Sequence, residues 1–540
     1  MFVESSDEGW TPAFSAAGSH SPWLITVILS LATFMEVLDT SVANISLRHI
    51  GGDLSATYDE ATWALTSYLV ANAIIVPLSS WLSDRLGRKR YYMISVALFT
   101  LSSLACALAP SLFWLVVARI AQGIGGGGLA PCEQSMLVDT FPPSKRGKAI
   151  AAYGLVLVFG PAFGPTIGGL ITDAFSWRWI FLINIPVGIL SLILVRALVN
   201  EPKALIERRK ARLQSSARTD FPGFILVALG LGCLQIAIDR GQQSDWFASP
   251  IIWALAIIAV VSLVALCLWE LQCPNPVLNL RLFVHRDFAL ACAVMGVTGA
   301  SMYATTQMVP QFLQQVLGYT ASDAGLAMTA SSMATLLVTG MTAFLSNRVP
   351  ARLLILTGLI IEAVGLYHTT GITDHMGFWT MSLDRVWLVA GLPLILAPLT
   401  TGAYVKLSAT DTAQASAFLN LFRNVGGAAG ISAAQTILAR RGVWHGQRLM
   451  ESVSAAHWRA GIDRFSGAFQ PLYQFGPLSE GRANALVALT VRRQALLLSY
   501  IDVFWAFAVF TACVIPFVVL LRTQSTKALK AGLPLQIEEI

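Results

Sequence analysis

Five ionisable side chains stand inside stretches that otherwise suit lipid. Glu36 and Asp39 lie in FMEVLDTSVAN (34–44), Arg119 in VVARIAQGIGGGG (116–128), Glu133 just beyond it, and Glu362 in a later apolar block. An acid in such a span costs at least about 2.5 kcal/mol on insertion scales. A guanidinium keeps its charge, so Arg119 needs a counter-charge or a wet cavity. Glu36 and Asp39 are three residues apart and share one face of a helix. At 1.5 Å per residue, Asp39 sits ~22 Å into the first span, and Arg119 ~10 Å below the opposite surface in the fourth. The two therefore lie at similar depth and can approach one another. An acid beside a cation stays ionised, whereas burial without one favours the protonated form. A carboxylate whose surroundings change between two conformations can take a proton on one side and release it on the other. This chemistry predicts Asp39 and Arg119 as proton-coupling residues, with Glu36 as a second acid for the proton or for a cation.

The elements that must position these groups are membrane spans. The chain has 540 residues, is 55% hydrophobic and only 12% charged, against roughly 25% charged in an ordinary soluble chain. Its apolar residues fall into about fourteen blocks of bilayer-spanning length. The fold class is an all-α polytopic membrane protein. The net charge of +6 then reports orientation and not nucleic-acid binding. The seven cysteines are scattered and offer neither a disulfide framework nor a zinc spacing. The first 23 residues carry no Lys or Arg, so they lack the basic region of a cleavable signal peptide and the first helix is expected to be retained.

The blocks divide the chain into an N-terminal segment (1–23), a six-helix half (24–199), a linker with spans 7 and 8 (200–287), a second six-helix half (288–521) and a tail (522–540). The second half includes a long polar loop at 439–496. Clusters such as Arg85, Arg88–Arg90, Lys145–Lys148 and Lys203–Arg218 fall on one side, which places both termini in the cytoplasm. By parity the loop at 439–496 is external. It is nonetheless basic, with eight arginines and no lysine, and long loops follow the rule poorly. SDRLGRKR after span 2 and SNRVPAR (346–352) after span 10 point to internal symmetry, as in two-half transporters.

Three further motifs carry function. WLSDRLGRKR (81–90) offers Asp84, Arg85, Gly87, Arg88 and Lys89 as a charged latch between helices, with Asp84 able to pair with Arg85 or Arg88. GLVLVFGPAFGPTIGG (154–169) sets Gly160, Pro161, Gly164, Pro165, Gly168 and Gly169 as a small-residue stripe on a proline-bent helix. The glycines after Arg119 follow no strand and lack the Lys-Ser/Thr of a phosphate loop, which excludes nucleotide binding there. Glu36, Asn44, Gln122, Glu133 and Glu362 are candidates to line a substrate cavity. For Arg423 in NLFRNVGGAAG the expected role is helix packing, and for Asp502 an interfacial position.

These motifs resemble those of the major facilitator superfamily. Leu82, Asp84, Arg85, Gly87, Arg88 and Lys89 match its signature loop, with Ser80 where the family has glycine. Arg119, Gln122 and Gly123 match its fourth-helix proton motif, and the Gly-Pro pairs its antiporter motif. LDTSVANISL (38–47) resembles the first-helix motif of the fourteen-helix drug:proton antiporters, with Asp39 and Asn44 in register and Arg48 in place of the final proline. Glu36, Glu133 and Glu362 depart from that pattern. WRWIFLINIPVG (177–188) and WELQCPNPVLNLRLF (269–283) extend the resemblance to the EmrB type across nearly the whole chain. The resemblance implies a major facilitator fold of two six-helix halves plus two central helices. It implies proton-coupled efflux of amphipathic or hydrophobic compounds across the bacterial inner membrane, with no enzyme chemistry and no cofactor beyond the proton gradient. The expected partners are small-molecule substrates and the lipid bilayer, with a periplasmic adaptor and an outer-membrane channel by analogy. A dedicated exporter of fatty or aromatic acids is the rival, and a membrane sensor or enzyme on a transporter fold the more distant one.

Overall fold

The computed structural model describes residues 15–16, 22–201, 207, 220–273, 276–346, 348–404, 411–452 and 476–519. These residues are helical apart from turns, loops and one two-residue pairing of Ser15–Ala16 with Val199–Asn200. Among the described residues, twelve helices are long and apolar enough to cross a membrane. In chain order they and two further long helices are α1 (Pro22–Ile45), α2 (Trp63–Leu86), α3 (Arg88–Ala107), α4 (Leu112–Thr140), α5 (Pro143–Ala174), α6 (Trp179–Leu198) and α7 (Phe221–Arg240). Then come α8 (Pro250–Gln272), α9 (Arg286–Gln315), α10 (Ala321–Leu345), α11 (Ala351–Thr369), α12 (Phe378–Ala403), α13 (Thr412–Ser452) and α14 (Gly476–Val519). The two that fall outside the twelve are α5 and α13. The glycine stripe and polar residues of α13 lower its apolarity without shortening it, and several side chains of α5 lie outside the described residues.

Burial runs against the rule for water-soluble proteins. The window of α8 is almost wholly apolar yet only 22% of it is buried. Such a helix faces lipid, where exposed apolar side chains cost nothing. By contrast Asp39, Arg119, Gln122, Glu133 and Arg423 are all buried within the bundle. Helices α7 and α8 lie at the flank. Trp81 of α2 packs edge-on against Phe224 of α7 at 4.7 Å, and Ser432 of α13 donates to the Ile238 carbonyl of α7 at 2.7 Å.

The internal repeat is deeper than the two basic loops indicate. Arg385 stands to Arg119, Gly391 to Gly125, Gly426 to Gly160 and Gly430 to Gly164 at one constant interval along the chain. The packing repeats with them. A Cβ on Gly125 would meet Phe99 N at 2.7 Å and Ser95 O at 2.9 Å on α3, and one on Gly391 would meet Glu362 N at 3.2 Å and Gly358 O at 2.3 Å on α11. Gly160 and Gly164 of α5 press on Val37 and Ser41 of α1, as Gly426 and Gly430 of α13 press on Gly296 and Ala300 of α9. Small residues at four-residue spacing allow this backbone approach where no hydrophobic force drives helices together.

One expectation is corrected. The loop expected at 439–496 is narrower, because α13 continues as helix to Ser452 and α14 begins at Gly476. The polar residues there are amphiphilic helix surface: Arg441 and Arg448 flank the Trp444 ring, each at 4.7 Å, and Arg441 and His445 both reach Asp502. Helices α4 and α12 are also not continuous, since α4 breaks at Gly127–Gly128 and α12 at Gly391. Arg208–Arg218 of the linker, the N-terminal residues 1–14 and the tail 522–540 lie outside the described residues.

Candidate functional site

Four helices of the first half meet at Asp39. Arg119 of α4 donates from Nη1 to Asp39 Oδ2 at 2.5 Å. Gln122, one turn along the same helix, donates from Nε2 to Asp39 Oδ1 at 3.0 Å, and Asn184 of α6 donates to the same oxygen at 2.7 Å. Ser103 of α3 accepts from both amides, at 2.8 Å from Gln122 and 3.3 Å from Asn184. Both carboxylate oxygens are thus occupied by donors from two other helices, α4 and α6, and the ion pair is shut off from solvent, with side-chain exposures of 0% and 1%. A pair so enclosed compensates its desolvation only through such hydrogen bonds.

The Arg119 guanidinium is itself fixed. Its Nε donates to the Ala64 carbonyl of α2 at 2.8 Å, and Nη1 also reaches Gln122 Oε1 at 2.7 Å. It lies over the Tyr68 ring at 4.3 Å, a favourable placement for a cation on an aromatic face. Gly123 explains how α4 comes this near α2: a Cβ there would stand 2.5 Å from Tyr68 O. Arg119 Nη2 keeps no hydrogen-bond partner.

Glu36 occupies a neighbouring layer. Its Oε1 accepts from Asn72 at 3.0 Å and from the Tyr68 hydroxyl at 3.3 Å, both on α2. Tyr68 therefore touches both acids' surroundings, with its ring on Arg119 and its hydroxyl on Glu36. Asn72 in turn accepts from Asn424 of α13 at 3.5 Å, which carries the chain of contacts into the second half. Glu133 sits elsewhere. It is fully buried and accepts from Ser30 at 2.7 Å and Thr33 at 2.5 Å, tying α4 to α1. Glu362 is also buried, in the second half, with Oε2 unpartnered. Gln122 belongs to the Asp39 cluster, and the side chain of Asn44 lies outside the described residues. The four described cavity candidates are therefore dispersed, and among them Glu36 alone stands at the seam between the halves.

The latch residues converge at the basic end of the bundle. Gly87 has φ +88, a conformation that L side chains rarely adopt, and it turns the chain between α2 and α3. Arg88 is ion-paired with Asp139 at the end of α4. Arg85 stacks on Trp81 at 4.5 Å, and Lys89 donates to the Arg196 carbonyl at 3.1 Å. Asp84 lies in the last turn of α2. Gly160, Gly164, Gly168 and Gly169 are buried; Gly160, Gly164 and Gly168 press on α1, and α5 runs helical through Pro161 and Pro165, whose side chains lie outside the described residues.

Sequence reasoning missed Ser103, Asn184, Tyr68, Asn72 and Asp139. Their signal was available in part, because hydroxyls and amides within apolar spans take partners across helices. Among the described residues no group of three or more His, Cys, Asp or Glu is placed to hold a metal ion.

Comparison with known proteins shows the family. Residues 29–431 match the model of the Major Facilitator Superfamily. The chain is 35% identical over 486 residues to the multidrug export protein EmrB of Haemophilus influenzae, spanning 89% of this chain and 92% of that protein. It is 36% identical over 465 residues to a probable multidrug resistance protein, EmrY, of Escherichia coli, at 85% and 86% coverage. It is 33% identical over 501 residues to the fatty acid resistance protein FarB of Neisseria gonorrhoeae, at 93% and 96% coverage. Membrane-length helices, a repeated half and full-length similarity together identify the chain as a multi-pass membrane protein of the Major Facilitator Superfamily, among the EmrB-type proteins.

Proposed function

We propose that this protein is a proton-driven efflux permease of the bacterial inner membrane, exporting amphipathic and hydrophobic compounds by alternating access. The observation that carries the reading is the buried Asp39–Arg119 pair, whose carboxylate is shared among α1, α4 and α6. A proton on Asp39 removes the negative charge that its three donors, on α4 and α6, are held by, and so weakens the ion pair with Arg119. Protonation and the relative position of those helices are therefore linked, and linkage of this kind is all that coupling requires: proton and substrate must bias the same two states differently. Arg119 remains charged throughout and keeps the empty cluster from being apolar. The Arg88–Asp139 pair and the glycine stripes hold helices whose contacts differ between states, with both termini in the cytoplasm. The names of the relatives support export as the direction. The helical extensions of α13 and α14 form the surface for a periplasmic adaptor.

The second reading, a dedicated exporter of fatty or aromatic acids, draws on the similarity to FarB. A transport survey across anionic, neutral and cationic amphiphiles separates the two readings.

The coupling is tested in inverted membrane vesicles with an imposed pH gradient. Addition of a transported compound releases protons in the wild type and not in Asp39→Asn. Equal compound-driven proton flux in that variant would exclude Asp39 as the coupling group.

A further inference from the structure

Two buried acids face one another where α7 begins and α8 ends. Asp220 caps the start of α7 and Glu270 lies in the last turn of α8, and they are 6% and 1% exposed. Asp220 Oδ1 accepts from the Gly223 N–H at 2.9 Å and from Trp269 Nε1 at 2.7 Å. Glu270 Oε1 accepts from the Leu278 N–H at 3.2 Å. The second oxygen of each, Asp220 Oδ2 and Glu270 Oε2, is buried with no hydrogen-bond partner. The two carboxyl groups flank one point: a Cβ on Gly223 would stand 2.4 Å from Asp220 Oδ2 and 2.9 Å from Glu270 Oε1.

Among the described residues no cation answers them. Arg281, in the segment after α8, spends Nη2 on the Leu271 carbonyl at 3.4 Å, and Arg85 of α2 stacks on Trp81. From α13 the approaching group is Gln414, a neutral amide. The charge that acts on Glu270 is that of Asp220. Two ionised carboxylates sharing a buried site repel, and a buried charge without a partner is costly. One proton removes both penalties. It leaves a single charge, and it makes one acid an O–H donor for the bare oxygen of the other.

The pair stands where the chain passes from one half to the other. Phe224, next to Gly223, packs on Trp81 of α2 in the first half. Leu278, held by Glu270, precedes Asn279, whose N–H donates to Gln414 Oε1 of α13 in the second half at 3.0 Å. We infer that Asp220 and Glu270 hold one proton between them and form a clasp at the joint of the two halves, closed while the proton is bound and opened by repulsion once both acids ionise. The clasp stands apart from the efflux reading, because it lies in the linker and touches no transported compound. The stability it gives is present at low pH and is lost as the pH rises and the shared proton leaves.

The test follows thermal unfolding of the full-length protein in nanodiscs of zwitterionic lipid from about pH 6 to about pH 9, the range over which a buried carboxyl pair gives up its last proton. Infrared spectra are taken on the same samples. The wild-type midpoint falls across this range. In Glu270→Gln the amide donates in place of the proton and does not titrate, so the fall shrinks by at least half and the midpoint at the alkaline end lies above wild type. The infrared difference between wild type and this variant at low pH contains the C=O stretch of a protonated carboxyl, and the band fades as the pH rises. Asp220→Asn shows the same flattening and decides the matter should Glu270→Gln fail to fold. A purely structural role predicts something else: each variant would lower the midpoint by the same amount at every pH. That result, or a difference spectrum without the carboxyl band, overturns the clasp. A wild-type midpoint raised by added magnesium or calcium chloride, with no such rise in Glu270→Gln, would assign the two acids to a divalent cation and overturn it too.

Discussion

Arg119 and Arg385 occupy the same place in the two halves, yet their surroundings differ. Each is the eighth residue of its helix, ahead of a glycine that presses on the neighbouring helix in the same manner. Arg119 has a carboxylate, a carbonyl, an amide and an aromatic face. Among the described residues, Arg385 has only the Thr305 carbonyl at 3.3 Å and the Thr306 hydroxyl at 3.5 Å, with Nε unpartnered. The acid beside it in sequence, Asp384, turns to His368 at 2.9 Å. The repeat therefore preserves the scaffold and not the chemistry. Packing is fixed by where glycines fall, whereas an ion pair needs a matching residue on another helix, and α9 supplies none: at the position related to Asp39 by the α1–α9 glycine contacts stands Thr298, its hydroxyl unpartnered. The buried ion pair thus stands in the first half, and its place in the second is held by a threonine.

The largest expected effect breaks the first half's pair. Arg119→Gln leaves Asp39 buried without its cation, which costs about 3–5 kcal/mol. Thermal unfolding in detergent should fall sharply, and Asp39→Asn in the same chain should restore most of the loss without restoring transport. A double variant no more stable than Arg119→Gln would show that the pair is not what holds the helices.

The two glycine stripes should differ next. Gly430→Ala drives a Cβ to 2.3 Å from the Ala300 carbonyl, while Gly164→Ala meets the Ser41 hydroxyl at the same 2.3 Å. Rotation moves the Ser41 hydroxyl but leaves Ser41 Cβ, 2.4 Å away, in place, whereas three backbone atoms of Ala300 stand within 2.7 Å of the position at Gly430. Both substitutions should cost about 1–3 kcal/mol as overpacking, Gly430→Ala the more. The order of their midpoints in a thermal shift assay checks this.

A smaller effect is expected at Arg385. No ion pair is broken there, so Arg385→Met should be neutral or stabilising by up to about 1 kcal/mol, in line with apolar replacement of buried charge. Proton release on substrate addition should persist in that variant. A loss as large as that of Arg119→Gln would mean that the halves are chemically alike after all.

The smallest change is at the seam. Asn420 donates to Gln134 at 2.7 Å across the halves, so Gln134→Leu should cost about 0.5–1.5 kcal/mol. Because the bond spans the halves, its loss should also raise the accessibility of a cysteine placed at Thr400 to a soluble maleimide.

Much of the site could be read from residue types. Asp39 and Arg119 announced themselves because ionisable groups are so costly in lipid that each implies a partner, and equal depth named the candidate. Asn184 and Ser103 did not, since a single amide or hydroxyl is common in membrane helices and its direction is invisible without a neighbour. Glu133 and Glu362 read as cavity residues for the same reason that Asp39 read as a coupling group. The first proved to be a tie between α1 and α4, and the second an acid buried against α12.

The sequence by itself determined that the chain crosses a membrane, that it is built from two related halves, and that an acid and a guanidinium had to meet in the first of them. Composition and helical rise are enough for those conclusions, because lipid enforces them on any chain. Only the tertiary structure decided which oxygens each donor reaches, that Arg88 pairs with Asp139, and that the loop at 439–496 is mostly helix at both ends. Those depend on helix rotation and on close backbone contacts at glycines, where a shift of one residue moves a side chain by about 100° around the axis.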